Sequence, residues 1–423
     1  MIYPENFEQK INFDKIRQLV ANHCLSIPGK EKTAEMTFSH NYETIKTQLT
    51  QTNEFLQIIR KKENFPANEF SDVRETLKKT AIKGTCLTEK ELLDIRKTVD
   101  TISNVLRFFK SERIQTNYPS LQELTVGIKD SPNIIRQIDL IIDKFGQIRS
   151  NASPTLADIN HRLTQTIGSI SKTLGNILRQ AQSDSLVDRD ATATVRNGRL
   201  VIPVSVAFKR KIKGIIHDES ATGKTVFIEP QEIVETNNRI RELENEAKRE
   251  KMKILIEITN VIRNEIPVIT NAYLFLVQID FIRAKALFAQ DTDAIMPIIE
   301  NKQQLEWTRA VHPLLLLSLS HRKQGKIVVP LDFELKTRIL LVSGPNAGGK
   351  SVLLKTAGLL QYMLQSGMLI PIGEDSKTGI FQDIFIDIGD EQSIENNLST
   401  YSSHLNNMKF MIKYASRQSL ILI

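Results

Sequence analysis

The chain of 423 residues is predicted to have a mixed fold. An α-helical core and lever carries coiled-coil arms bearing a small β module, and an α/β phosphate-loop domain follows. Three observations predict it. The first 150 residues are patterned as short amphipathic helices broken by proline. Two later stretches repeat apolar residues every seven positions on either side of a segment rich in β-branched residues. Residues 344–351 read Gly-Pro-Asn-Ala-Gly-Gly-Lys-Ser, which fits the phosphate-loop pattern at every fixed position. The expected boundaries are a helical core over 1–150, arms over 151–295 with the β module at about 190–230, and the nucleotide-binding domain over 296–423.

In the first segment, Thr88-Glu89-Lys90-Glu91 is a capping box opening a helix through Leu92, Ile95, Val99, Ile102 and Leu106. Steps of three and four residues are those of ordinary bundle packing. Pro66, Pro119 and Pro132 mark breaks between helices.

In the second segment, Leu156, Leu163, Ile170 and Ile177 lie seven apart, with Ile167 and Leu174 in alternate slots. Ile233, Ile240, Ala247, Ile254 and Val261 repeat the same step. A sustained seven-residue step makes a narrow apolar seam, the mark of a coiled-coil arm. For the first stretch, a long helix buried in a bundle is the competing reading. The second carries Arg-Glu-Leu-Glu-Asn-Glu-Ala-Lys-Arg-Glu over 241–250, mixed charges that want solvent on most faces. Each arm of roughly 25–30 residues would reach on the order of 40 Å.

Between the arms, Thr192, Thr194, Leu200, Val201, Ile202, Val204 and Val206 precede a basic run, Lys209-Arg210-Lys211-Ile212-Lys213. Ile215, Ile216 and Thr225-Val226-Phe227-Ile228 follow, and Gly198, Gly214 and Gly223 supply turns. The basic run is a candidate for tracking a phosphate backbone, against the alternative of a solvated hairpin face.

In the third segment, Ile327, Val328 and Val329, then Leu331, Phe333 and Leu335, predict strands ahead of the loop. Ile339, Leu340, Leu341 and Val342 form the short apolar run expected of a buried parallel strand. Val352–Gln365 is rich in Leu and Met without proline, and Gly367 can stop that helix. Gly344, Gly348 and Gly349 let the intervening backbone turn its N–H groups around a phosphate. The helix points its positive end at the same place. Lys350 is placed to reach the β- and γ-phosphates and Ser351 to ligate Mg2+.

Composition bounds the rest. The chain is 41% hydrophobic and 25% charged, enough for real cores in two or three domains. A net charge of +7 permits a polyanionic partner, while one Trp and 6% aromatics argue against a surface that stacks many bases. Cys24 and Cys86 lack metal-ligand spacing and read as small hydrophobes in a reduced compartment. The expected location is cytoplasmic: the first residues lack a signal-peptide pattern, and no run of about twenty apolar residues suggests a membrane span. Gly223-Lys224-Thr225 resembles the end of a second phosphate loop. Asp218 stands where the first glycine should be, so it reads as a turn. No His has a partner at metal spacing, and no nucleophile elbow occurs.

Together these pieces resemble the MutS family of ATP-gated nucleic-acid clamps. The loop with its flanks, Val342-Ser343-Gly344-Pro345-Asn346-Ala347-Gly348-Gly349-Lys350-Ser351, is similar to that family's version. His312-Pro313-Leu314-Leu315, Asp387–Ser393 and Leu398-Ser399-Thr400-Tyr401-Ser402-Ser403-His404 resemble its other ATPase motifs. Val226–Pro230, Asn237–Glu244 and His217-Asp218-Glu219-Ser220 look like the second bacterial branch, the MutS-like endonucleases without mismatch recognition. The resemblance covers essentially the whole chain.

The resemblance implies ATP and Mg2+ as cofactors, with His312 and Pro313 near adenine and Asn346 near the γ-phosphate. It implies a homodimer in the intact protein, in which Ser399, Thr400, Ser402 and His404 face the nucleotide of the other subunit. It implies a clamp on branched or double-stranded DNA that restrains recombination, or alternatively a factor that meets ribosomal RNA on stalled or collided ribosomes. In either role Lys209, Arg210, Lys211 and Lys213 are the nucleic-acid candidates. Phe227–Glu229 sits in the β module and is not read as a mismatch wedge. Ser419–Ile423 resembles the strand that leads to the acidic pair for Mg2+ and water, so an early end within the ATPase domain, weak nucleotide binding and poor turnover are expected. Catalytic residues stay unassigned.

Overall fold

The computed structural model describes residues 1–66, 70–321, 328–335, 337–344, 349–388 and 397–423. It is a mixed helix and sheet structure. The first helices are α1 (Phe7–Lys10), α2 (Phe13–His23), α3 (Ile27–Ala34), α4 (Tyr42–Arg60), α5 (Arg74–Ala81), α6 (Glu89–Phe109) and α7 (Glu112–Asn117). They continue as α8 (Pro119–Glu123), α9 (Pro132–Ile141), α10 (Pro154–Ser183), α11 (Val234–Asp291), α12 (Pro313–His321), α13 (Lys350–Gln365) and α14 (Asn397–Tyr414). The chain divides into two compact units. One comprises Met1–Asp72, Lys97–Ser131 and Pro267–Ile423, the other Val73–Arg96 and Pro132–Ile266.

In the second unit the predicted arms pair antiparallel. Ser153 bonds Glu250 (2.8 Å), and Arg162 at the next turns bonds Glu246 (3.2 Å). Further along, Ile170, Leu174 and Ala181 share one apolar cluster with Ile240 and Ile233. The seam is narrow: Ile240, Leu243, Ala247 and Ile254 are buried and the residues between them are largely exposed. Two expected seam positions fail. Ile167 and Val261 are exposed, and Ile258 and Ile262 are buried instead. A straight helix drifts about 20° per heptad from a seven-residue repeat, so the buried stripe moves to steps of four past Ile254. Ile233 falls in a 3-10 turn ahead of α11 rather than within it.

The β module is a four-stranded sheet in the order β2-β3-β5-β4, made of β2 (Thr194–Arg196), β3 (Arg199–Ser205), β4 (Gly214–Glu219) and β5 (Thr225–Pro230). All its pairings are antiparallel. Ile202, Val204, Val226 and Ile228 from its inner face join the arm cluster, so the module is packed onto the helices. Gly214 lies where a Cβ would fall on the Glu229 carbonyl of the neighbouring strand. Gly214→Ala is therefore expected to break the β4–β5 pairing and destabilise this unit by about 2 kcal/mol or more, read as reduced amide protection over residues 214–230 in hydrogen exchange. The capping box also forms. Thr88 N–H donates to Glu91 (2.7 Å), and Glu91 N–H donates to the Thr88 hydroxyl (3.3 Å).

In the first unit, β1 (Ile2–Tyr3), β10 (Asp383–Ile386) and β11 (Ser419–Leu422) form a parallel sheet in the order β1-β10-β11. A second sheet orders β6 (Ile298–Glu300), β9 (Lys377–Gly379), β7 (Leu305–Ala310) and β8 (Leu331–Glu334) as β6-β9-β7-β8. One helix, α11, includes an 18-residue window of mean hydropathy 1.3, and half of that window is buried inside the protein, as in a core helix. Cys24 is buried and Cys86 half-buried, both as free thiols.

Two stretches depart from expectation. Val328 and Val329 are in no strand, β8 beginning only at Leu331, and Ile327 lies outside the described residues. Residues 339–342 form no strand, and Ile339 and Leu341 are more than four-fifths exposed. A parallel strand needs hydrogen-bonding neighbours before its apolar side chains gain from burial. Among the described residues β11 pairs only with β10, and the apolar run stays outside the sheet.

Candidate nucleotide-binding site

The site is built on α13. Gly349 occupies its N-cap in the left-handed region, at φ 86°, a conformation that costs glycine little and other residues more. Lys350 opens the helix, and its ammonium donates to the Gly344 carbonyl (2.7 Å), drawing together the two ends of the loop. Ser351 is exposed beside it. Pro345, Asn346, Ala347 and Gly348 lie outside the described residues.

The far half of α13 is buried on all sides from Thr356 to Gln365. Its two core glutamines are held by polar partners rather than by apolar contact. Gln361 donates to the Gly379 carbonyl (2.9 Å) and accepts from Thr378 (3.1 Å). Gln365 donates to the Phe381 carbonyl (2.8 Å) and accepts from the Phe381 N–H (3.1 Å). Tyr362 donates to Glu8, which Arg17 also grips through both of its oxygens. At the helix end the Lys285 ammonium donates to the Gly367 carbonyl (2.9 Å), a cation at a helix C-terminus. Burial pushes its pKa down to about 7.

These contacts orient the helix. Its last turns meet residues 378–381, just before β10 begins, while a Cβ at Gly358 would touch Ile386 and Leu422 near the ends of β10 and β11. So α13 runs antiparallel to those strands, and its N-terminus lies at their carboxyl edge. Helix α14 packs on the opposite face, where Phe410 meets Phe385 and stacks on Tyr3 at 3.9 Å. Helices leaving to opposite faces at the carboxyl edge make the crevice where open α/β sheets bind ligands.

Asp387 stands at the end of β10 in that edge, buried. Its N–H donates to the Leu422 carbonyl (2.8 Å), tying the two strand ends. Its carboxylate accepts from His404 Nδ1 (2.7 Å) and Asn407 Nδ2 (2.8 Å), and Asn407 in turn accepts from the Tyr3 hydroxyl (2.6 Å). Sequence reasoning flagged His404 but not this pairing. Tyr3 and Asn407 are 404 positions apart, and no local signal joins them. Ser402 is exposed on the same helix; Ser399 and Thr400 fall within α14 and their side chains lie outside the described residues.

His312 is buried just before Pro313, which opens α12. Burial, more than any charge, holds its pKa down to about 4, so the ring is neutral at physiological pH. Its Nδ1 has no partner among the described residues, leaving a polar atom that an incoming ring system could satisfy. A cleft of about 630 Å³ adjoins this point through Val311 and Leu316. Among the described residues, its lining includes none from the loop.

The basic run forms an exposed turn between β3 and β4. Lys209, Arg210, Lys211 and Lys213 all face solvent, without ion pairs among the described residues, while Ile212 packs into the core. The Gly223-Lys224-Thr225 decoy is a turn as expected, closed by Gly223 N–H to the Ser220 carbonyl (2.8 Å). Sequence reasoning missed a charge cluster further along β5. Glu229 is fully buried and receives Arg199 (2.6 Å), His217 (2.5 Å) and Asn237 (2.7 Å). Its carboxylate is therefore committed to structure. Among the described residues no cluster of three or more His, Cys, Asp or Glu side chains is arranged to hold a metal ion.

The model of MutS domain V matches residues 340–423. Endonuclease MutS2 of Geobacillus sp. (strain WCH70) is 34% identical over 415 residues, 97% of this chain and 52% of that protein. Endonuclease MutS2 of Pelotomaculum thermopropionicum is 36% identical over 417 residues, 98% of this chain and 52% of its own. That of Latilactobacillus sakei subsp. sakei is 35% identical over 415 residues, with 98% and 52% covered. The chain spans about half the length of the curated relatives it matches.

Proposed function

Since the chain belongs to the MutS family, in the branch of the MutS2 proteins, we propose that it binds ATP with Mg2+ at residues 344–351 and that nucleotide state gates a clamp on branched DNA. The observation that carries this is Lys350 at the head of α13, bonded across the loop to Gly344, at the carboxyl edge of a parallel sheet. In this reading Ser351 supplies the Mg2+ ligand. The neutral ring of His312, whose Nδ1 has no partner among the described residues, meets adenine together with Pro313. In a homodimer, Ser399, Thr400 and Ser402 meet the other subunit's nucleotide. Titration of labelled ATP in Mg2+ tests the first step. No saturable binding up to millimolar nucleotide would overturn it.

The exposed cations at 209–213 supply the polyanion contact. Replacing Lys209, Arg210, Lys211 and Lys213 with Ala is expected to weaken binding to branched and linear DNA alike. The salt slope should fall by about 1 for each phosphate that the loop had neutralised. An unchanged slope removes this loop from the interface. The same cations favour a second reading, in which the chain meets ribosomal RNA on stalled or collided ribosomes. Competition between branched DNA and ribosomes at matched salt separates the two: preference for ribosomes demotes the DNA clamp.

A further inference from the structure

We propose that Lys285 makes the contact between α11 and the C-terminal end of α13 a proton-gated joint, which opens by taking up one proton at the Lys285 amine and so loosens as pH falls and tightens as pH rises. The groups that build it all belong to the first unit. Helix α13 is followed by Gly367, which is left-handed at φ 73°, and a Cβ there would strike the side chain of Gln48 in α4. The Gly367 carbonyl is thereby held between two helices. It accepts from the Lys285 Nζ of α11 (2.9 Å) and from the Thr52 hydroxyl of α4 (3.4 Å).

What surrounds the amine decides how it responds to protons. Lys285 is only 3% exposed. Its Nζ lies over the Phe281 ring at 4.8 Å. Gln48 and Thr52 of α4 are uncharged, as are Gln365 and Ser366 at the end of α13. From α3 the charge acting on it is Lys32, of like sign, which donates to Gln278 of α11 (2.8 Å). The nearer charges on α11 are engaged elsewhere: Asp280 accepts from the N–H groups of Leu25 and Ser26, and Arg283 donates to the His23 carbonyl. Among the described residues no carboxylate pairs with Lys285. A helix C-terminus and a ring face attract a cation, but they replace its hydration only in part. Burial therefore lowers the Lys285 pKa from 10.5 to about 7, and Lys32 adds to the fall. An uncharged amine still donates to the carbonyl, so the closed joint keeps its hydrogen bond without the charge. Opening returns the amine to water, where it is protonated. The closed joint holds fewer protons than the open one between about pH 7 and 10.5, and each pH unit in that window changes the opening equilibrium about tenfold. Below the window both forms are charged and the dependence levels off.

Hydrogen exchange on the full chain, corrected for the intrinsic rate at each pH, is the test. Protection of the amides at residues 366–370 is expected to rise about tenfold per pH unit between about pH 7.5 and 9, and to level off below about pH 7. Residues 214–230 of the second unit should show no such slope; the same slope there would mark global unfolding and overturn the joint. Lys285→Met, apolar and of similar length, should remove the slope at 366–370. A flat profile in the parent overturns the proposal, and so does a slope that persists in Lys285→Met, since another group would then take up the proton. A slope that runs on to about pH 5 without levelling belongs to a group of lower pKa and overturns it as well. Should Lys285→Met fail to fold, the parent profile decides: a slope confined to 366–370 with its plateau below about pH 7 supports the joint, and any other shape overturns it. The joint works in the same way whatever the loop at 344–351 binds, so a failure of nucleotide binding leaves this result untouched.

Discussion

Replacing Lys350 with Ala is expected to weaken ATP binding by roughly 10²-fold or more while leaving the melting temperature within about 2 °C of the parent. The two halves of that result have separate causes. Lys350 is half-exposed, and its bond within the protein is to the Gly344 carbonyl (2.7 Å). Removing an exposed bond of this kind costs the fold a few tenths of a kcal/mol. Toward a triphosphate the same ammonium makes charge-assisted bonds worth about 1.5–3 kcal/mol each, and about 1.4 kcal/mol is a factor of ten. Equilibrium titration against a thermal melt checks both. Binding retained at the parent's affinity would remove Lys350 from the site. The lone Trp307 lies in β7 of the unit that holds the loop, so its fluorescence reports the melt where it matters.

Glu229→Ala is expected to destabilise the second unit by about 3–5 kcal/mol. The carboxylate is fully buried, and Arg199 and His217, both mostly buried, converge on it. Removing it leaves the Arg199 guanidinium without its counter-charge and strips His217 and Asn237 of a hydrogen-bond partner. Hydrogen exchange over residues 199–238 is the direct readout, because Trp307 lies in the other unit. The pH dependence has a definite sign. Burial alone would raise the Glu229 pKa, but the hydrogen bonds from His217, Asn237 and Arg199 outweigh it and hold the group below its ordinary 4.5. A folded value below the unfolded one means stability that is present above about pH 4.5 and lost as pH falls through the folded value. Glu229→Gln should flatten that acid limb. An acid limb identical in parent and Gln variant would show that other carboxylates govern it.

The patterns that were legible in the chain are local ones. The capping box at Thr88–Glu91, the apolar seams of the two arms, the strands about Leu200–Val206 and Thr225–Ile228, and the helix after Lys350 each follow from residues within a few turns of one another. The failures are instructive in the same terms. Ile339–Val342 has a strand's composition, but strand formation needs neighbours, and apolar character alone does not supply hydrogen-bond partners. Val261 sits on the expected seven-residue step, yet the helix had rotated its buried stripe away by that point. Glu229 carried no sequence signal of burial; only the convergence of Arg199, His217 and Asn237 shows its carboxylate occupied.

By itself, then, the order of residues determined where helices and turns begin, which faces carry apolar seams, and that a glycine-rich loop precedes a helix, because each depends on spacing along one element. Tertiary structure alone decided that Ile2–Tyr3 lies beside β10, that α13 points its N-terminus at the strands' carboxyl edge, and that Asp387 holds His404 there. Those facts depend on groups far apart in the chain meeting in a buried environment. Hydrogen bonding and exclusion of water select such partners, and no local spacing encodes them.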